Sequence, residues 1–488
     1  MGRAESLYAC LCQAARLDPG ACALVIDGQE YSYAELVARV NRCAAGLAKA
    51  GVRPGDAVAV AFPNSLDFIV GAFAAFALDT ILVPLNPRFK EEELRHYLQL
   101  SRPTALLYPQ SMQALIDTLD VPSVVRATST EAVSVVEAAD QPPTGSDKLT
   151  GIYMFSSGST GKSKRVTRTQ AQVLGEYRAL AATIALSASD RILCTVPLFH
   201  AHGFGNALLA SLLSGGRLVL VTSEFNARAT MQALTSQAIT VYPAVPFMFK
   251  MLADTRFQTP PDLSALRLAF SAGAALPEAV SKKFNEVFAK PVSQLYGSTE
   301  TGAISINVLH PLDKPTTVGR PLHGTRIEIR DENGRKLAAN ENGEVWVAAG
   351  TATSAYDGLA DMTAECFSDG CFFTGDMGTL DADGDLTITG RKKLLINVAG
   401  YKVDPLEVEE VLARHVQVSD VVVIGVEHAG AGEKIKAVVV LKEPGAAASQ
   451  ELIDYAAAHL AEYKVPKLVE FRPEIPRSPL GKVLRKYL

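Results

Sequence analysis

The sequence predicts an α/β protein with a large N-terminal domain of parallel sheets covered by helices, a small β unit, and a small α+β domain at the C-terminus. Between about residues 150 and 300, short apolar strands alternate with amphipathic helical stretches, the pattern of parallel sheets buried on both faces. Residues 319–390 show strands joined by turn dipeptides such as Asn333-Gly334, which is typical of antiparallel hairpins. After Arg391, helices and strands mix within about 95 residues, the size of a separate domain.

Local patterns define each predicted element. The chain of 488 residues is too long for one core, and we place the domain boundary between residues 390 and 391. Apolar runs predict the strands of the large domain at residues 57–60, 105–107, 152–155, 192–196, 218–221, 239–242, 268–271 and 292–296. Helical periodicity predicts helices at residues 227–237 and 278–288. The small β unit has strands at 326–329, 344–347 and 386–388, and the C-terminal domain has helices at 405–415 and 450–460 and strands at 421–426 and 435–441.

Composition and charge exclude several classes of protein. Hydrophobic residues make up 48% of the chain and the net charge is −5, which argues against disorder and against a nucleic-acid partner. The seven cysteines are scattered and form no C-x-x-C pair, so neither a disulfide framework nor a zinc site is expected. The longest uncharged apolar run, residues 68–78, is too short to cross a bilayer and predicts a buried helix. We therefore expect a cytoplasmic protein without membrane insertion, as a monomer or homodimer.

A glycine-rich loop that directly follows the predicted strand at residues 152–155 is the most informative segment. Glycines allow tight turns that point N–H groups at an anion, and hydroxyls and lysines add donors and positive charge. Such a loop is suited to polyphosphate. The segment comprises Ser156, Ser157, Gly158, Ser159, Thr160, Gly161, Lys162, Ser163 and Lys164.

Two other interpretations of this loop fit less well. Gly161-Lys162-Ser163 matches the end of the P-loop G-x-x-x-x-G-K-[ST], but the first glycine of that motif would fall on Ser156, so the spacing fails. A flexible Gly/Ser linker rarely follows a buried strand or carries two lysines.

The loop resembles the phosphate-binding loop of the adenylate-forming superfamily, which includes acyl-CoA synthetases, firefly luciferase and the adenylation domains of peptide synthetases. That loop typically reads S-S-G-[ST]-T-G-x-P-K-G. This sequence departs from it with Ser163 in place of proline and Arg165 in place of glycine, and Gln170 stands where a histidine is common. The residues from Ser157 to Gly161 and Lys164 match.

Further segments match the same family in order along the chain. Thr374-Gly375-Asp376 resembles T-G-D, and Gly390-Arg391 begins the G-R-x-[DK] junction. Pro479-Leu480-Gly481-Lys482 resembles the C-terminal P-x-G-K. The family's Y-G-x-T-E is matched by Tyr296, Gly297, Ser298, Thr299 and Glu300. The ordered set implies an AMP-binding acyl-CoA synthetase that uses ATP, Mg²⁺ and coenzyme A.

The resemblance assigns roles to several of these residues. Glu300 is expected to hold Mg²⁺, which bridges phosphate oxygens, and Thr299 to contact the α-phosphate. Tyr296 offers a face to adenine. The small residues Ala272, Gly273 and Ala274 are expected to line the adenine and substrate pocket.

Three charged residues complete the implied nucleotide site. Asp376 is expected to accept hydrogen bonds from both ribose hydroxyls, and Arg391 to reach the ribose or the phosphates. Lys482 is expected to carry the first reaction, since a fixed cation neutralises the charge that develops when a carboxylate attacks the α-phosphate.

The family performs adenylation and thioester formation with different poses of a mobile C-terminal domain, which rotates about a hinge. The hinge position matches Lys393. The segment Gly400, Tyr401 and Lys402 resembles the one that forms the thiol tunnel in the second pose.

The acyl pocket is expected to include His200, because residues 197–204 resemble the family's P-x-F-H-x-x-G segment of acyl- and aryl-CoA synthetases. The resemblance also makes His200 a candidate catalytic residue, together with Lys482, Glu300 and Thr299. No aspartate stands there to pair with an α-amino group, which disfavours amino acid substrates. An aromatic acid and a medium-length aliphatic acid remain open. The other expected lining residues are Phe204, Val245, Pro246, Ala272, Gly297 and Gly302.

Alternatives remain for the acceptor and for catalysis itself. The sequence contains no carrier domain, which favours free coenzyme A, but an acyl carrier protein acting in trans would leave the same sequence. A non-catalytic nucleotide-binding regulator is the alternative from another class; the presence of both Glu300 and Lys482 argues against it.

Overall fold

The chain forms two compact units. The structure, a computed structural model, describes residues 6–119, 125–133, 151–157, 163–259, 261–356, 359–394, 396–398, 401–428, 432–460, 462–477 and 483–488. The first unit comprises Met1–Gly158, Lys162–Arg326 and Val347–Phe372, and the second comprises Ser159–Gly161, Ile327–Trp346 and Phe373–Leu488.

The first unit contains two sheets that are mostly parallel. In the larger sheet six neighbouring strands are parallel and the antiparallel strands lie at its two ends. Its order is Arg320–Pro321, Gly302–Ile306, Val292–Ser298, Leu268–Ser271, Val241–Ala244, Arg191–Cys194, Arg217–Leu220, Cys22–Ile26 and Gln29–Ser32. The smaller sheet has the order Val125–Ala127, Ala105–Leu107, Ala57–Val60, Ile81–Pro84, Gly151–Ser157 and Ser163–Thr169.

Apolar residues at helical spacing account for the helices of the first unit. The predicted buried helix is confirmed as Leu66–Ala77, in which every residue from Phe68 onward is buried. The α-helices are Leu7–Leu17, Tyr33–Lys49, Leu66–Ala77, Glu91–Ser101, Gln113–Asp117, Thr130–Val133, Gln170–Thr183, Ala201–Gly203, Ala210–Leu213, Ala227–Ser236, Pro246–Asp254, Glu278–Phe288 and Ala360–Cys366, with a π-helix at Phe204–Leu209 and a 3₁₀ turn at Gln110–Met112.

Several strand bounds differ from the predicted ones by a few residues, and one of these differences has a clear local reason. The strand expected at residues 239–242 is Val241–Ala244. Ala238 has a positive φ of 46°, and Ile239 N–H donates to Leu234 O at 3.0 Å. These contacts close the C-terminus of the preceding helix in a Schellman-like turn, so Ile239 belongs to that helix end and not to the strand.

The second unit contains most of the small β unit and the α+β part. The sheet of the β unit has the order Thr325–Arg330, Gly343–Ala349, Cys371–Leu380 and Phe367–Ser368, with Leu386–Arg391 paired to Cys371–Leu380. The C-terminal sheet has the order Tyr401–Val403, Ile396–Val398, Gly432–Leu441 and Val418–His428, with Leu468–Phe471 paired to Gly432–Leu441, and the helices are Pro405–Ala413 and Ser449–His459. Apolar residues of both helices and of the central strands form one core.

The predicted fold class is confirmed: an α/β protein with parallel sheets and a smaller C-terminal domain. Within the described ranges, no helix combines the length and the apolar character that crossing a membrane would require. All seven cysteines are free thiols.

Candidate functional site

Several residues predicted to line the ligand pockets lie at the carboxyl ends of the parallel strands, at one edge of the larger sheet. Parallel strands end at a common edge, which is where open α/β sheets bind ligands. Ala272 directly follows its strand, and its N–H donates to Ala244 O of the neighbouring strand at 3.1 Å. Gly273 has a φ of +86°, and a Cβ there would lie 3.8 Å from Val245 Cγ1. Gly273 and Ala274 are exposed at this edge, whereas Val245 and Ala272 are buried.

Residues 298–302 form a turn between the antiparallel strands Val292–Ser298 and Gly302–Ile306; we call it the Glu300 turn. Ser298 Oγ accepts from Thr301 N–H at 3.2 Å, which closes the turn. A Cβ on Gly297 would lie 2.5 Å from Gly302 O, so only glycine fits this close approach of two backbones. Tyr296 and Thr299 are half-buried and Glu300 is buried.

Tyr356 holds the Glu300 carboxylate. Its hydroxyl donates to Glu300 Oε1 at 2.9 Å, and both residues are buried. Burial, followed by the nearby Glu300 carboxylate, raises the pKa of Tyr356, so the phenol remains a neutral donor. A carboxylate with a neutral donor keeps its full negative charge, which suits a divalent cation that takes oxygen ligands. Glu300 therefore fits the role of a Mg²⁺ ligand.

Lys164, the last residue of the glycine-rich segment and part of the strand Ser163–Thr169, lies against the same tyrosine. Its Nζ is 4.7 Å from the centre of the Tyr356 ring, a cation–π distance. Val166 on the same strand forms an antiparallel bridge with Tyr356. Tyr356 thus brings the predicted metal-binding carboxylate and a predicted phosphate-binding lysine together. Sequence reasoning missed Tyr356, which lies 56 residues from Glu300 and carries no local signal that we recognised.

His200 and His202 differ in their surroundings. His202 is fully satisfied: its Nε2 bonds to Ala244 O at 3.0 Å and Asn206 Nδ2 bonds to its Nδ1 at 2.9 Å. His200 Nε2 is buried and has no hydrogen-bond partner among the described residues. Burial lowers the pKa of each histidine to about 4, and for His200 the neighbouring His202 contributes as well. Both imidazoles are therefore neutral at pH 7.

Two further residues predicted to line the acyl pocket have well-defined contacts. Phe204 is buried, and its ring packs edge-on against Phe76 with centroids 6.2 Å apart. Gly302 has a φ of +73°, and the space that a Cβ would occupy there is filled by the carboxylate of Glu176. Val245 precedes the helix Pro246–Asp254, whose first residue, Pro246, fits the N-terminal position of a helix.

Within the second unit, the two residues predicted to contact ribose lie opposite each other on paired strands. Asp376 and Arg391 are register partners, and Arg391 Nε donates to Asp376 Oδ1 at 2.7 Å. Asp376 N–H donates to Thr374 Oγ1 at 3.1 Å, and Thr374 Oγ1 donates to Val345 O at 3.1 Å. The carboxylate is buried while half of the arginine side chain is exposed, so this pair can present polar groups to a ligand.

Models of two known families match this chain. The model of the AMP-binding enzyme family matches residues 11–356, and that of the AMP-binding enzyme C-terminal domain matches residues 407–482. The chain belongs to the AMP-binding enzyme family. This confirms the resemblance predicted from the ordered motifs.

Relatives with similar sequences match over nearly their whole length. A feruloyl-CoA synthase from Amycolatopsis sp. is 33% identical over 473 residues, which cover 96% of each chain. An indoleacetate–CoA ligase from Aromatoleum aromaticum is 32% identical, covering 96% of this chain and 94% of the relative. The solved structure of o-succinylbenzoate CoA synthetase from Bacillus subtilis in complex with its acyl-adenylate intermediate superposes with a TM-score of 0.89 and 28% identity, covering 99% of this chain and 97% of that chain.

Two departures from the family's loop pattern have structural explanations. Gln170 uses its side-chain oxygen to accept from the buried Leu7 N–H at 3.0 Å, so it fastens the N-terminal helix. Arg165 lies with its guanidinium 4.7 Å from the Tyr153 ring centre and donates to Leu100 O at 2.8 Å. Both side chains thus make contacts of their own within the first unit.

Several predicted site residues lie wholly or partly outside the described residues. Gly158, Ser159, Thr160, Gly161, Gly400 and Lys482 are outside them. The backbone, but not the side chain, is described for Ser156, Ser157, Lys393, Tyr401 and Lys402. Ser156 and Ser157 end a strand whose partner begins at Ser163, so residues 158–162 connect two antiparallel strands. The second of these strands was not predicted, because its polar sequence has no apolar run.

The chain on either side of residues 478–482 is fixed to the C-terminal domain. Arg477 Nη2 lies 2.8 and 2.7 Å from the two carboxylate oxygens of Asp420, and Arg477 forms an antiparallel bridge with Val483. Arg485 Nη2 lies 2.9 Å from Glu409 Oε1, which also accepts from Val423 N–H at 2.8 Å. Burial raises the pKa of Glu409 to about 7, against the opposing effect of Arg485. These two arginines hold the described chain before and after residues 478–482, a stretch that contains Lys482 and lies outside the described residues.

Replacing Tyr356 with phenylalanine is expected to lower kcat/KM for MgATP roughly tenfold, because a hydrogen bond to a charged group is lost. The measurement is pyrophosphate exchange at saturating acid. Tyr33→Phe is the matched control, since Tyr33 is a buried tyrosine of the same unit whose hydroxyl bonds to Leu212 O and Gly216 O. Equal losses in the two variants would contradict a specific role for Tyr356.

The raised pKa of Glu409 predicts a pH dependence of stability. A carboxyl group with a folded-state pKa of about 7, above its ordinary 4.5, stabilises the fold fully below its unfolded pKa and loses this contribution as the pH rises through 7. From pH 5 to 8, the unfolding free energy of the wild type should therefore fall relative to that of Glu409→Gln, on the order of 2 kcal/mol.

The single tryptophan, Trp346, belongs to the second unit, so its fluorescence in denaturant titrations reports this difference. Glu410→Gln alters an exposed carboxylate of the same helix and should track the wild type at every pH. A constant difference between wild type and Glu409→Gln across the range would contradict the prediction.

Proposed function

We propose that this protein is an ATP-dependent carboxylic acid–CoA ligase, which forms an acyl-adenylate and pyrophosphate and then an acyl-CoA thioester and AMP. The observation that carries the proposal is the match of both family models to this chain, together with 33% identity to a feruloyl-CoA synthase over 96% of each chain. The arrangement of Tyr356, Glu300 and Lys164 supports it, because it combines a carboxylate and a cation next to the glycine-rich loop.

In the first step, a carboxylate oxygen of the acid attacks the α-phosphorus of ATP, and the bond to the bridging oxygen of pyrophosphate breaks. The protein lowers this barrier mainly by positioning groups and neutralising charge. We assign Ser156, Ser157, residues 158–161 and Lys164 to the phosphates, Thr299 to the α-phosphate, and Lys482 to the charge that develops. Glu300 would hold Mg²⁺, which supplies positive charge to the phosphate oxygens.

The nucleoside part of ATP is assigned to the residues that the family resemblance implied. Tyr296, Gly297, Ser298 and residues 272–274 would contact adenine. Asp376, with its carboxylate fixed by Arg391, would accept from the ribose hydroxyls, and a carboxylate can do so with both of its oxygens.

In the second step, the thiol sulfur attacks the carbonyl carbon of the acyl-adenylate and AMP leaves. We propose a C-terminal domain of residues 391–488 that changes pose about Lys393, and a thiol tunnel formed by Gly400, Tyr401 and Lys402. His200 would touch the acyl group. With a pKa of about 4 it is a weak base at neutral pH, so we assign it to contact and hydrogen bonding rather than to proton transfer.

The proposal also names the acid substrate, the thiol that accepts the acyl group, the cellular compartment and the assembly of the enzyme. The relatives named above act on ferulate and on indoleacetate, and both acids are aromatic. We therefore propose aromatic acids as the first candidates for the acyl pocket, to which we assign His200, Phe204, Val245, Gly297 and Gly302. Medium-length aliphatic acids come next. Free coenzyme A is the proposed acceptor, in the cytoplasm, with a monomer or homodimer as the assembly.

Pyrophosphate exchange with a panel of aromatic and aliphatic acids tests the function. The expected outcome is ATP formation from labelled pyrophosphate that depends on both an acid and Mg²⁺, with at least one aromatic acid among the best substrates. Thioester formation is then compared with coenzyme A and with a pantetheinylated carrier protein as acceptor. Absence of exchange with every acid would refute the ligase and favour the nucleotide-binding regulator.

Lys482→Ala is expected to lower the rate of adenylate formation at least about 100-fold, because a fixed cation near developing phosphate charge is worth several kcal/mol. Thiolysis of a supplied acyl-adenylate should stay close to the wild-type rate. The two half-reactions are measured separately, by exchange and by release of AMP from synthetic adenylate. Equal losses in both would refute the assigned role of Lys482.

A further inference from the structure

A buried ion pair lies behind the Glu300 turn. Arg168 Nη1 and Glu176 Oε2 are 2.7 Å apart, and their side chains are only 4% and 10% exposed. Replacing a buried ion pair with apolar residues of similar volume is often neutral or stabilising, whereas removing one partner costs much stability. Stability alone therefore does not account for charged groups at this position.

The carboxylate of Glu176 contacts the strand at the point where it leaves the Glu300 turn. Its Oε1 accepts from Ala303 N–H at 2.8 Å. A Cβ on Gly302 would lie 2.2 Å from the Glu176 carboxyl carbon, so glycine at 302 allows the carboxylate to approach the backbone. Glu176 thus fixes the last residue of the turn and the first residue after it.

The guanidinium of Arg168 contacts a second segment, residues 351–353. Its Nε donates to Thr351 O at 3.1 Å. Gln172, one helical turn before Glu176, caps its helix by accepting from Thr169 N–H and donates from Nε2 to Ala352 O at 2.6 Å. Two consecutive carbonyl groups of this segment are therefore held by side chains next to the ion pair.

Hydrogen bonds also connect the segment 351–353 to the Glu300 turn. Thr353 N–H donates to Glu300 O at 2.8 Å, and Thr351 Oγ1 donates to Thr301 O at 3.2 Å. The turn is thus held on one side by Glu176 and on the other by a segment that Arg168 holds. Because Arg168 lies on the strand Ser163–Thr169, the pair also connects the turn to the strand that follows the glycine-rich loop.

We infer that Arg168 and Glu176 are positioning residues for adenylation, which fix Thr299 and Glu300 relative to the strand that leaves the phosphate-binding loop. The inference rests on the proposed function. The pair has no net charge, so it acts through geometry and not through its field at the phosphates. Displacement of a catalytic group by about 1 Å can cost two orders of magnitude in rate, so a rigid support of this kind has a large effect.

Glu176→Gln is the first test, because the amide oxygen can still accept from Ala303 N–H while Arg168 loses its charged partner. Binding of MgATP without acid is measured by calorimetry, and kcat and KM for MgATP and for the acid are measured by exchange. Binding of MgATP should weaken about tenfold and kcat/KM for MgATP should fall by at least that factor, while KM for the acid changes less than about twofold.

The first unit offers a matched control. Asp190 is a carboxylate with 3% side-chain exposure, and its Oδ1 lies 2.8 Å from Arg267 Nε. Asp190 directly precedes the strand Arg191–Cys194, so it lies at the opposite edge of the sheet from the carboxyl ends of the parallel strands. Asp190→Asn removes the same kind of charge. It should lower the thermal unfolding midpoint as much as Glu176→Gln does, but leave MgATP binding unchanged.

A net-neutral double variant, Arg168→Leu with Glu176→Leu, covers the case in which Glu176→Gln does not fold. It keeps the core filled and should retain a near-wild-type unfolding midpoint with the same weakening for MgATP. Wild-type MgATP binding and kcat in either folded variant would overturn the inference. If the wild type itself showed no exchange with any acid, the proposed function would fall first, and the positioning role with it.

Discussion

The buried carboxylate of Glu300 is the constraint around which the first unit's candidate site is organised. A carboxylate removed from water needs hydrogen-bond donors, but a cationic donor would neutralise the charge that a metal ion requires. Tyr356 satisfies the first need without the second effect, since its phenol donates at 2.9 Å and stays neutral. The same ring carries Lys164 on its face, so one side chain sets the distance between the carboxylate and a cation next to the glycine-rich loop.

Sequence patterns predicted the parts of the fold in which apolar residues repeat. The helix Glu278–Phe288 and the strand Leu268–Ser271 have the predicted bounds, because their burial follows directly from their spacing. The strand Ser163–Thr169 was not predicted, since it is polar and owes its conformation to pairing with Gly151–Ser157. Motifs placed Glu300 in the candidate site but gave no sign of Tyr356, because its contact with Glu300 depends on how distant segments fold together.

Two glycines of the candidate site have a physical reason to be glycine that the sequence did not reveal. Gly297 and Gly302 were predicted as pocket-lining residues, and the structure adds a backbone reason for each. Gly297 faces Gly302 O across the hairpin, and Gly302 faces the Glu176 carboxylate with a positive φ. A glycine in a motif can thus report a close approach of other atoms as well as room for a ligand. The two requirements are compatible, and they explain why a sequence alone could not separate them.

Three carboxylates with three different partners show how charge is matched to task. Glu300 has a neutral phenol as its donor, so it keeps a net charge that can attract a divalent cation. Asp376 is paired with Arg391, so the pair has no net charge, which suits the ribose hydroxyls proposed for it better than an ion. Glu176 is paired with Arg168 in the interior, where a pair without net charge supports backbone geometry. We therefore infer that the partner of each carboxylate sets its proposed role: holding a cation for Glu300, orienting a polar ligand for Asp376 and positioning its neighbours for Glu176.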